Sequence, residues 1–98
     1  MTYRLHVSPV VHLEIASIYR YREDNLSSGA GDRFLKALSD CYEAILANPY
    51  GFQIRKGLYR HAPLRRLKYR VVYEVEGDTI FVYQVRHTSR RPSKRFGP

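Results

Sequence analysis

The run from Arg65 to Arg91, RRLKYRVVYEVEGDTIFVYQVRHTSRR, most constrains what this chain can fold into. Between Tyr69 and Val75 the side chains alternate. Tyr69, Val71, Tyr73 and Val75 face one way, and Arg70, Val72 and Glu74 face the other. A two-residue period of this kind belongs to a strand. Gly77-Asp78 supplies a two-residue turn that reverses the chain. Thr79–His87 then forms a second strand. It is apolar on both faces for most of its length, which predicts a place inside the sheet and not at its edge. A β-hairpin follows, and the rest of the fold must be built around it.

Upstream, the period lengthens. Tyr3 to Val7 alternates as a short strand. Ser8 suits a helix N-cap, and Pro9 suits the first helical position, where its missing N–H has no partner to lose. Val11, Ile15, Ile18 and Tyr19 recur at helical spacing, which predicts a helix over Pro9–Asn25 with one buried stripe. Asn25–Gly31 (NLSSGAG) is a turn by composition. A second helix over Ala30–Ala47 carries Phe34, Leu38, Cys41, Tyr42 and Ile45 on its apolar face and ends at Asn48-Pro49. Two helices joined so closely form an antiparallel hairpin. Tyr50–Gly57 reads as a loop, and Leu58–Leu64 as a strand weakened by Pro63. The expected order is β-α-α-β-β-β in the α+β class, a helical hairpin packed on a small, mostly antiparallel sheet. The chain of 98 residues is read as one domain, 1–98, with no repeat or linker.

Charge is divided unevenly along this domain. Residues 1–52 hold five Lys/Arg against six Asp/Glu, whereas residues 53–98 hold twelve against three. Most of those twelve cations are arginines, the side chain suited to bidentate contact with phosphate or carboxylate. Such an imbalance points to a nucleic-acid surface, an acidic protein partner, or both. Cys41 is alone and lies within a helical apolar pattern, so no disulfide or cysteine metal cluster can form. The opening MTYRLHVSPVV has no leader-like apolar run, and no stretch approaches the roughly 20 apolar residues that span a bilayer. A cytoplasmic location without membrane attachment is expected.

No metal-ligand spacing, phosphate-cradling loop or nucleophile motif is present, and no cofactor or metal is expected. Glu74 and Glu76 sit beside the turn as solvated residues. His6, His12 and His61 read as surface or core-edge residues. Any catalytic group would therefore be cationic or aromatic. Arg60, Arg65, Arg66, Arg70, Arg86, Arg90 and Arg91 remain as candidates, with His87 among them. Arg70 and Arg86 fall on paired or nearly paired strands, at the end away from the Gly77-Asp78 turn. Arg65, Arg66, Arg90 and Arg91 flank that end. Clustered guanidiniums repel, and an anionic partner offsets the repulsion.

An opening strand, Ser8-Pro9 at a helix start, a helical hairpin closing on Asn48-Pro49, and then Tyr69-Arg70-Val71-Val72-Tyr73, a short turn and an apolar strand ending Val85-Arg86-His87 resemble the RelE/ParE superfamily. These are the toxins of type II toxin–antitoxin, or plasmid stabilisation, modules. The resemblance covers nearly the whole chain. It implies growth inhibition, neutralised by a cognate acidic antitoxin. ParE-like members have long helices and poison DNA gyrase without cutting RNA, and the long helices here resemble that branch. The alternative is a RelE-like endoribonuclease that cuts messenger RNA on the ribosome. In that branch Arg70 matches the arginine after the motif tyrosine, Arg60 falls near a lysine position and Arg90 matches the arginine after the last strand. His87 would serve as general base. The terminal tyrosine of that branch falls on Phe96, which has no hydroxyl and cannot transfer a proton. Arg65, Arg66, Arg70, Arg86, Arg90 and Arg91 are the expected target- or anion-binding residues. A non-toxic nucleic-acid-binding module ranks third, because neither helix carries the charge.

Overall fold

A computed structural model describes residues 2–89 and 94–98. Strand β1 (Arg4–Val7) leads into helices α1 (Pro9–Asn25) and α2 (Ala30–Ala47). Four strands follow: β2 (Ile54–Lys56), β3 (Tyr59–Pro63), β4 (Tyr69–Glu76) and β5 (Thr79–His87). The sheet order is β1-β5-β4-β3-β2. β1 pairs parallel to β5, and every other pairing is antiparallel. The fold is thus α+β as expected, with β5 inside the sheet. One strand is additional. Ile54–Lys56, within the segment read as a loop, pairs with β3 as a short, exposed edge.

Local chemistry explains the helical hairpin. Ser8, in extended backbone, caps α1 by accepting from the Val11 N–H through Oγ at 3.4 Å, and Pro9 follows it. Where the helices meet, Gly31 lies so close to α1 that a Cβ there would stand 2.6 Å from the Tyr19 ring. Arg22 crosses the turn, and its Nε donates to the Ala30 carbonyl at 2.9 Å.

The hairpin covers one face of the sheet. Phe34, Leu38, Cys41 and Ile45 from α2 and Val11 from α1 pack against Ala62, Val71, Tyr73, Ile80, Val82 and Val85. Two polar groups that enter this core are hydrogen-bonded to main-chain carbonyls. The Tyr73 hydroxyl donates to the Pro49 carbonyl at 2.7 Å, and burial pushes its pKa up to about 12. The Cys41 thiol donates to the Ala62 carbonyl at 3.7 Å and is likewise pushed up to about 12 by burial, so it stays protonated and is no nucleophile.

Candidate functional site

The opposite face of the sheet is where charge gathers. β4 and β5 leave the Gly77-Asp78 turn in regular register from Glu76↔Thr79 to Tyr73↔Val82. A bulge then inserts one extra residue in β5, so that Val72 pairs with Gln84 and Arg70 with Arg86. Without that bulge Arg70 would oppose Val85, and Arg86 would point into the helix-covered core. The bulge re-aims Arg86 onto the open face beside Arg70. β3 adds His61, which pairs with Val72 and shares the same face.

These groups are poorly solvated. Arg86 is 2% exposed and His61 4%. Burial holds the Arg70 pKa below its usual value, and the nearby Arg86 and Arg55 guanidiniums lower it further. Burial also lowers the His61 pKa against the opposing effect of its bond to the Phe96 carbonyl, with Arg70, Arg55 and Arg86 adding to the depression. His61 is therefore neutral at pH 7, with Nε2 donating to the Phe96 oxygen at 2.8 Å. Its Nδ1 and the Nε of Arg70 are buried without hydrogen-bond partners among the described residues. A face of this kind attracts anions: its positive charges are close together and partly dry.

An aromatic slot borders the cations. Phe96, 7% exposed, stacks on Tyr83 at 5.9 Å between ring centroids and meets Tyr59 edge-on at 4.9 Å. The Tyr83 hydroxyl donates to Glu74 at 3.0 Å, and burial is the first cause of its pKa rising to about 12.

The other expected site residues are dispersed. Arg60 opposes Tyr73 on the helix-covered side of β3 and donates through Nη1 to the Tyr50 and Phe52 carbonyls at 3.2 and 2.7 Å. It ties down the loop after α2. His87 pairs with Tyr69 and packs edge-on against that ring at 5.1 Å, across the sheet from Arg70. Its Nδ1 accepts from the Ser89 N–H at 3.1 Å. Arg65 and Arg66 line a hollow with Asp32, Lys36 and Asp40 of α2. Arg90 and Arg91 lie outside the described residues. The structure thus joins Arg70 and Arg86, separates Arg60 and His87 from them, and adds His61. His61 left one signal, its place on the same alternation as Tyr59, but what buries it comes from the far end of the chain.

Among the described residues, no group of three His, Cys, Asp or Glu could hold a metal, and no helix is long and apolar enough to cross a membrane. A groove of about 800 Å³ runs between α1 and the end of β5, lined by Val10, Leu13, Tyr21, Tyr69 and His87. Val10 and Leu13 are 63% and 73% exposed there. β1 stops opposite Val82, and the Val85 N–H is met by the Glu14 carboxylate at 3.2 Å instead of by a strand.

The layout of two helices over a mixed five-stranded sheet is shared with solved structures. A structure of a chromosomal ParDE toxin–antitoxin system from P. aeruginosa superposes with a TM-score of 0.77 at 11% identity, covering 90% of this chain and 98% of that one. E. coli RelE, solved as a double mutant in the free state, gives 0.58 at 22% identity, covering 91% of this chain and 86% of that one. Both likenesses concern the fold. No curated protein sequence matches significantly. The family described as "ParE toxin of type II toxin-antitoxin system, parDE" matches residues 5–92. The chain belongs to that family and is a type II toxin–antitoxin toxin of the ParE/RelE kind.

Proposed function

We propose that this protein arrests bacterial growth by poisoning DNA gyrase in the cytoplasm, acting through the Arg70–Arg86 face, and that an acidic antitoxin encoded beside it, as in a plasmid stabilisation module, neutralises it. The observation that carries this reading is the family match over residues 5–92. Phe96 adds support. The position where a RelE-like cleaver has its tyrosine holds a buried ring with no proton to give, between Tyr59 and Tyr83. The paired arginines stabilise negative charge without transferring protons. The exposed apolar groove beside His87, on a chain whose second half is strongly basic, supports an amphipathic acidic partner there.

Purified protein is expected to inhibit gyrase supercoiling, and cells expressing it to mount an SOS response while messenger RNA stays intact. Co-expression of the adjacent antitoxin reading frame restores growth. Ribosome-dependent message cleavage with unaffected gyrase would overturn the reading.

One observation favours the second branch. His61 is neutral at pH 7 and lies beside two arginines, which is the chemistry of a general base next to a phosphate site. A ribosome-dependent nuclease working this way would lose about 10²–10⁴-fold in message cleavage on His61→Ala, since general bases contribute on that order. In that branch His87→Ala, across the sheet, has a small effect.

A further inference from the structure

Residues 94–98 return across the open face and take up its hydrogen-bonding groups. Lys56 Nζ donates to the Lys94 carbonyl, His61 Nε2 to that of Phe96, and Arg70 Nη2 to a main-chain oxygen of Pro98. The three acceptors are two residues apart, so one side of the segment faces three cationic or imidazole donors in turn. Phe96 fills the slot between Tyr59 and Tyr83. Gly97 lies against β2 at a φ of 88°, where a Cβ would stand 2.8 Å from the Lys56 Cβ and 3.0 Å from the Arg55 carbonyl oxygen. Only glycine fits both that backbone and that gap.

We infer that residues 94–98 are an intramolecular strap that closes the His61–Arg70–Arg86 face, and that this face binds its anionic target only when the strap lifts. The fit is good enough to hold and poor enough to release. Phe96 contributes the burial of a large aromatic side chain. Against this, Arg70 Nε and His61 Nδ1 have no hydrogen-bond partner among the described residues, the strap included. The strap also brings Lys94 and Arg95 to a face that is already cationic. A polyanion offers charge where Lys94 and Phe96 offer only neutral carbonyl oxygens. Closure and target binding exclude one another, so apparent affinity falls by the fraction of molecules with the strap open. This inference does not depend on which target the toxin has.

Arginine-selective labelling of the full chain with phenylglyoxal, read residue by residue by mass spectrometry, tests the strap without any target. In the wild type Arg70 is expected to react about tenfold more slowly than exposed Arg20, the size of effect that burying an aromatic ring sustains. Phe96→Ala and Gly97→Ala should each bring Arg70 close to the rate of Arg20. Arg22, buried in the helical hairpin, should stay slow and so report an intact fold. If Phe96→Ala exposes Arg22, the variant has unfolded. Gly97→Ala, which removes no core atom, then decides. Arg70 as reactive as Arg20 in the wild type, or equally protected in a folded Gly97→Ala protein, overturns the strap. Neither result bears on gyrase.

Discussion

The two faces of the sheet are built on opposite principles. The helix-covered face is apolar; the Tyr73 hydroxyl entering it donates to the Pro49 carbonyl, and the Tyr42 hydroxyl is its one buried side-chain polar atom without a partner among the described residues. Burial there stabilises the fold directly, at about 25 cal/mol per Å². The open face buries Arg86 and His61, half-buries Arg70 beside them, and leaves polar atoms unmatched among the described residues. Burying like charges opposes folding. One face therefore supplies the stability that the other consumes, and the strained face is the one suited to binding.

The sharpest way to break that contrast is in the core. Phe34, fully buried against Tyr69, is expected to cost about 3–5 kcal/mol of unfolding free energy when truncated to alanine, measured by urea denaturation. A loss under about 1 kcal/mol would mean that the helices hold less of the fold than their packing implies. Tyr73→Phe keeps the ring but removes its bond to Pro49. About 1–2 kcal/mol should go, because a buried carbonyl loses its donor.

A smaller effect belongs to the open face and depends on pH. The folded-state pKa of His61 lies below its ordinary 6.5. Under acidification the unfolded chain takes up this proton first. The neutral His61 therefore contributes stability that is fully present above pH 6.5 and is lost as pH falls from there through the folded value. His61→Gln, which keeps a donor for the Phe96 carbonyl, should flatten the melting temperature across that window. Equal slopes in the two proteins would show that His61 is not held neutral. Smallest of all is Lys36→Ala on α2. It breaks an exposed ion pair with Asp40 at 2.7 Å, and neither the melting temperature nor toxicity should change measurably.

What could be read in advance follows the range of the interactions. The helices and the central hairpin were legible because Val71, Tyr73, Phe34 and Ile45 declare themselves by local period. That Arg70 and Arg86 share a strand end followed from the two-residue turn. Their shared face did not, since it depends on the bulge beside Tyr83, which alternation hides in a strand apolar on both sides. The edge strand Ile54–Lys56 escaped notice because three residues with one apolar side chain carry no periodic signal. His61 and Phe96 acquire their roles only from each other, 35 residues apart in sequence. His87 resembled a member of the arginine cluster because it is adjacent in sequence to Arg86. Strand alternation places it on the other face.

The most direct test of the central claim is growth arrest by the Arg70→Ala, Arg86→Ala double variant beside the wild type at matched soluble expression. Removing two guanidiniums that repel each other leaves the helix-covered core untouched, so the circular dichroism spectrum should be preserved. The open-face account predicts a folded protein that no longer stops growth. A folded double variant that arrests cells as fully as the wild type would place the toxic surface elsewhere on the molecule.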